Sequence, residues 1–150
     1  MTTAIFLDSG PLGLLVHSNA EQARACLEWL DACLAGDCRV VIPEIADYEV
    51  RRELIRQAKS KSLLRLDELQ GVLDYQPLTT AAMRKAAELW AEARATGRPT
   101  SDRHALDADV ILCAQAHLAA GKDDRLVVAT TNVGHLARFV DAKDWKDVTP

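Results

Sequence analysis

Three short segments of this chain are apolar without a break: 4–7 (Ala-Ile-Phe-Leu), 40–42 (Val-Val-Ile) and 126–129 (Leu-Val-Val-Ala). A strand with one wet face alternates apolar and polar residues, so a strand apolar at every position must be covered on both faces. Such strands belong to a parallel sheet held between helices. Long helical stretches separate these three, and right-handed crossovers between them predict a three-layer α/β/α domain with a mostly parallel central sheet.

The punctuation agrees. The first run breaks into Asp8-Ser9-Gly10-Pro11, with Pro11 suited to the first position of a helix and Ser9 or Gly10 as its cap. A second helix is expected over 20–34, where Ala23, Cys26, Leu27, Leu30 and Leu34 share a stripe. Pro43 ends the second strand (39–42), and helical patterns follow over 44–60 and 62–71. A short strand is expected within 73–78. An alanine-rich helix over 79–96 is capped by Thr79 or Thr80 and closed by Gly97. The polar stretch 98–104 reads as a loop, and 106–120 as a further helix ended by Gly121. After 126–129, Thr130-Thr131-Asn132 opens another turn and a short helix.

No repeat, low-complexity tract or linker divides the 150 residues, so one domain over 1–150 is expected. Apolar residues make up 49%, enough for a core. Acids outnumber bases 22 to 18, a formal charge of −4, which argues against a generally basic chain that coats nucleic acid. The start lacks a basic leader and its apolar run is cut at Asp8, and no apolar run reaches the ~20 residues of a membrane helix. A cytoplasmic domain off the membrane is the expectation. Cys26, Cys33, Cys38 and Cys113 form no CxxC pair and are expected as reduced thiols without structural zinc. No GxGxxG, GxxxxGK[ST] or GxSxG motif is present.

In a parallel sheet, ligands gather at the carboxyl ends of the strands. Asp8 follows directly on the first strand, where it either caps the next helix or holds a hard cation. Glu49 lies in the helix after the second strand, on one side with Ile45 and Arg52, either solvated or turned over the sheet edge. Asp107 and Asp109 open the helix that feeds the third strand, where first-turn acids suit the helix dipole. That helix is apolar nearly all round and should be buried, and a buried carboxylate needs a partner. Clustered carboxylates repel unless a divalent cation neutralises them, an arrangement that suits metal-assisted phosphodiester hydrolysis.

Taken in order, the opening Ile-Phe-Leu-Asp-Ser-Gly (5–10), the Glu49 helix, Leu-Asp-Ala-Asp-Val-Ile-Leu-Cys-Ala-Gln-Ala (106–116) and Val-Val-Ala-Thr-Thr-Asn (127–132) resemble the PIN domain. The likeness covers essentially the whole chain and is closest to the toxin nucleases of type II toxin–antitoxin pairs. Each motif is short and degenerate; the ordered set carries the specificity. The resemblance implies a Mg²⁺- or Mn²⁺-dependent endoribonuclease leaving 5′-phosphate and 3′-hydroxyl ends, with a cognate antitoxin protein as partner. Position by position, the family's acids fall on Asp8, Glu49 and Asp109, the last standing seven residues before Ala116, the spacing of the family's Asp-x-x-Ile-x-x-x-Ala pattern. The family often carries a fourth acid in a Thr-x-Asp element. Here Thr130-Thr131-Asn132 puts an uncharged amide there, leaving a second metal open, with Asp107 as a compensating acid. Ser9 and Thr131 carry hydroxyls where the family places supporting donors. Family members commonly dimerise, although no feature of this sequence fixes a homodimer.

The densest basic stretch is Arg51, Arg52, Arg56, Lys59 and Lys61. It is either a solvated face with pairs such as Glu49–Arg52 and Glu53–Arg56, or a phosphate contact on the RNA substrate and a seat for the antitoxin. His17, His104, His117 and His135 are scattered and read as surface or capping residues, with His135 nearest the turn at Asn132. The aromatics read mostly as core, without a base-stacking platform. Two other readings stay open: a catalytically weak PIN domain that binds RNA or protein, suggested by Asn132, and a phosphohydrolase with Asp8 as nucleophile. The second needs an Asp two residues on, where Gly10 stands.

Overall fold

The computed structural model describes residues 2–96 and 103–150. Gly97 and positions 98–102 of the expected loop lie outside the described residues. Among the described residues, β1 Thr3–Leu7, β2 Cys38–Pro43, β3 Asp74–Gln76, β4 Arg125–Thr130 and β5 Ala142–Asp144 form one sheet in the order β3-β2-β1-β4-β5. Every pairing in it is parallel. The flanking helices are α1 Ser9–Leu15, α2 Ala20–Ala35, α3 Glu44–Arg56, α4 Ser60–Val72, α5 Thr80–Ala95, α6 Arg103–Ala119 and α7 Val133–Leu136.

The unbroken apolar runs are explained by two cores, one on each face. Side chains alternate across a strand. Ile5 and Leu7 of β1, Val40 and Ile42 of β2, and Val127 and Ala129 of β4 all face one cluster, with α1, α2 and Leu66 of α4. Ala4, Phe6, Val41 and Val128 face the other, against α5 and α6. Ile5 pairs in register with Val40 on one side and Val127 on the other, so each cluster runs straight across the three central strands. Full burial of each such Val, Leu, Ile or Phe contributes about 1.5–3 kcal/mol. The C-terminal segment is pinned to the first face. Trp29 Nε1 donates to the Val148 carbonyl at 2.9 Å, and its ring meets Trp145 edge-on at 5.7 Å.

Several local expectations change. Asp8 caps α1, as one of the two readings of it expected, in place of Ser9 or Gly10: its carboxylate accepts from the Ser9 N–H. Thr79 is the cap of α5, accepting from Ala82 N. Helix α6 begins at Arg103 rather than Leu106, so Asp107 and Asp109 sit beyond its first turn and the dipole argument for them lapses. Strand β5 went unanticipated, because three residues, two of them charged, give no apolar period. A short charged strand suits a sheet edge. The aromatics are not all core, since Tyr48 is 55% exposed. None of the four cysteines is bonded to another. Among the described residues no helix is long and apolar enough to cross a membrane.

Gly10 has a steric reason of its own. A Cβ there would overlap the Thr131 hydroxyl and lie 2.9 Å from Thr131 Cγ2 and 3.1 Å from its Cβ. Rotating Thr131 cannot clear all three atoms, so the first turn of α1 and the turn after β4 meet only because residue 10 is glycine. Gly10→Ala is expected to lower stability by about 1–3 kcal/mol, with Thr131→Ala on that background recovering part of it in thermal melts.

Candidate active site

From β1 the chain steps outward to β2 and β3, then returns past β1 to β4 and β5. The reversal opens a crevice beyond the carboxyl ends of β1 and β4, where doubly wound sheets bind ligands. Asp8 leaves the end of β1 and Thr130 ends β4, so the two meet at that crevice.

Asp8 is fixed at both oxygens. Oδ1 accepts from the Ser9 N–H and Oδ2 from the Thr130 hydroxyl, each at 2.8 Å, while the Asp8 N–H donates to the Ala129 carbonyl at 2.9 Å. Burial raises its pKa, against which the two hydrogen bonds and His135 pull. Thr130 is itself fully buried, and its oxygen also accepts from Asn132 N at 2.9 Å. Strand end, carboxylate and the turn after β4 are thereby one hydrogen-bonded unit.

Glu49 reaches the same edge from α3. Ile45 packs into one core and Ala46 and Val50 into the other, so this helix straddles the sheet end. Glu49 is pushed up to about 7 by burial, then by the charges of Asp8 and Asp109, with Arg52 opposing. Asp109, from α6, is likewise pushed up to about 7 by burial and by Asp8, with Arg138 opposing. Its Oδ2 lies 3.8 Å from His135 Nδ1, which is 3.1 Å from the side-chain nitrogen of Asn132. The three carboxylates therefore share one electrostatic neighbourhood. They are not drawn into a closed ligand shell, for among the described residues no three His, Cys, Asp or Glu groups stand close enough to be one. The crowding and the all-oxygen donor set fit a hard divalent cation that keeps part of its water shell.

Other candidates part company. Asp107 is exposed, about 200° around α6 from Asp109, and lines the outer wall of a cleft instead of joining Asp8. Arg51 is turned the opposite way from Glu49: it forks onto Asp47 at 3.1 Å and onto Asp67 of α4 at 2.8 Å, and so ties two helices together. Arg56 is exposed and pairs with Glu53. Of the three arginines singled out in the sequence, only Arg52 faces the acids, 3.9 Å from Glu49. The hydroxyl that supports Asp8 belongs to Thr130, not Thr131, which packs on Gly10; Ser9 contributes its backbone N–H. The first position of the Thr-x-Asp element was the available signal for Thr130. Arg138, just after α7, is the second cation felt by the acids, and no pattern in the sequence points to it.

Three comparisons bear on this arrangement. The PIN domain family profile matches residues 5–137. No curated protein matches the chain. Among solved structures, the chain is similar to VapBC2 from Rickettsia felis, bound to a DNA fragment from its promoter. There the identity is 14% and the TM-score 0.73, covering 95% of this chain and 99% of that one. VapBC-1 from nontypeable Haemophilus influenzae matches at 18% identity and a TM-score of 0.65, over 97% and 100% of the two chains. DNA-bound VapBC from Salmonella typhimurium matches at 20% and 0.65, over 97% and 99%. At such identities the structural likeness speaks to the fold.

Proposed function

The chain belongs to the PIN domain family, and on that premise we propose that it is a Mg²⁺- or Mn²⁺-dependent endoribonuclease, the toxin half of a toxin–antitoxin pair. The observation that carries this reading is the crowding of Asp8, Glu49 and Asp109 at the sheet's reversal point, where burial and the charge of Asp8 push both Glu49 and Asp109 up to about 7. The fold neighbours are VapBC assemblies, which supports a cognate antitoxin as partner.

Asp8, Glu49 and Asp109 would hold the ion, with Asn132 as a neutral contributor at the rim. When bound, it supplies charge neutralisation at the phosphate and lowers the pKa of an attacking water. The chain's own residues do the rest. The Ser9 N–H and the Thr130 hydroxyl hold the Asp8 carboxylate in one orientation. Glu49 and Asp109, whose pKa values burial and Asp8 raise to about 7, would lose protons as a cation is bound. Arg138, in the segment after α7, is the cation felt by Asp109, and its guanidinium fork suits a phosphate oxygen. The formal charge of −4 is no obstacle to RNA, because part of the acidic excess lies inside this site.

Purified chain is expected to cleave single-stranded RNA with Mn²⁺ or Mg²⁺, to leave 5′-phosphate ends, and to stop in chelator. RNA binding without cleavage under either metal would instead favour the binding-module reading that Asn132 suggests. Thr130→Val keeps the side-chain shape but strips the hydrogen bond from Asp8 and the acceptor from Asn132 N. It is expected to lower cleavage about 10- to 100-fold. Unchanged turnover in that variant would mean that Asp8 needs no orienting donor.

A further inference from the structure

Beside the acids, Ile45, Tyr48, Glu49, Arg52, Asp107 and Ile111 line an open cleft of about 450 Å³ between α3 and α6. Tyr48 precedes Glu49 on α3, and 55% of its surface is open to solvent. The Arg52 guanidinium lies over its ring, 5.0 Å from the centroid, while also approaching Glu49 at 3.9 Å. An exposed aromatic ring with a guanidinium over it offers flat groups on which a further ring can stack.

The walls select what a third layer would be. Two carboxylates, Glu49 and Asp107, oppose one guanidinium that is already engaged, so the cleft suits a neutral group better than a phosphate. Ile45 and Ile111 line it with apolar surface. Volume, flat stacking surface and neutrality together fit a nucleobase, which stacks on aromatic and arginine planes only when it is unpaired. We propose that this cleft seats the unpaired base next to the scissile phosphate, with Tyr48 and Arg52 as the stacking platform. The proposal rests on the ribonuclease reading and deepens it by naming the side chains that seat the base beside the cut.

The test compares wild type, Tyr48→Ala and Tyr48→Phe with Mn²⁺ on an unstructured RNA whose cut site is first mapped by its 5′-phosphate ends. A matched RNA lacks only the base beside that site. Tyr48→Ala should raise KM about 10-fold or more on the intact RNA, with Tyr48→Phe close to wild type because the π-face remains. On the abasic RNA, wild type and Tyr48→Ala should coincide. Equal KM values on intact RNA, or an equal loss on both RNAs, overturns the proposal; the first result also follows if the cleft takes a partner protein's side chain. Should the wild type cleave no RNA, the ribonuclease reading fails on its own. The cleft is then decided by titrating 2-aminopurine-labelled RNA without metal. Fluorescence quenching by wild type and not by Tyr48→Ala supports base stacking, and its absence overturns it.

Discussion

Replacing Asp8 with Asn is expected to remove divalent-cation-dependent RNA cleavage, on the order of a thousand-fold or more, without unfolding the chain. The local geometry separates the two effects. Asparagine caps a helix as well as aspartate, so its Oδ1 still accepts from the Ser9 N–H. The other oxygen becomes an NH₂ group. It now donates toward Thr130, whose hydroxyl can accept it alongside the Asn132 N–H. What disappears is the negative charge at the reversal point of the sheet. Because burial already raises the Asp8 pKa, removing that charge should leave the melting temperature unchanged or higher. Retained cleavage in the variant would remove Asp8 from the chemistry, and a collapsed melt would make its role structural.

Asp109→Asn is expected to stabilise the metal-free protein at pH 8, on the order of 2–3 kcal/mol, while destroying activity. The sign follows from the direction of the shift. The folded-state pKa of Asp109 stands at about 7, above its unfolded value. Below about pH 4 the group is protonated in both states and carries no penalty. Between there and about 7 the unfolded state ionises first, so stability is progressively lost as pH rises; above that the whole penalty is present. The gap in melting temperature between variant and wild type should therefore widen from pH 5 to pH 8 in chelator. Mn²⁺ should close it by stabilising the wild type alone, by about 2.7 kcal/mol at a hundred times Kd. A gap that ignores pH would mean the carboxylate is not crowded. Glu49, held near 7 by the same causes, should behave in parallel as Glu49→Gln.

How much of this was legible in the sequence depends on range. The sheet was, because an unbroken run such as Ala4–Leu7 admits few environments, and its two faces do split between two cores. Asp8 was legible for the same reason: it ends a strand whose position was already fixed. Glu49 and Asp109 needed more, since a lone acid on a helix is ordinarily solvated, and the ordered likeness to a family supplied it. Side chains whose role is set by a distant partner were not legible. Arg51 stands beside Arg52 in sequence but a different face of α3 turns it onto Asp47 and Asp67, sixteen residues away in the latter case. Thr130 and Thr131 are adjacent hydroxyls, and only the pairing of β4 with β1 decides which one reaches Asp8. Tyr48 passed for core because nothing in its neighbours says that it points into an open cleft. Arg138 carries no local pattern at all.

The central claim is that Asp8, Glu49 and Asp109 together make one divalent-cation site, and calorimetric titration of Mn²⁺ tests it most directly. The expected result is a saturable site in the wild type with proton release near neutral pH, as Glu49 and Asp109 ionise from their raised values. Affinity should fall about 10- to 100-fold from pH 8 to pH 6 and vanish in Asp8→Asn. Binding that is absent, insensitive to pH, or identical in wild type and Asp8→Asn would contradict it.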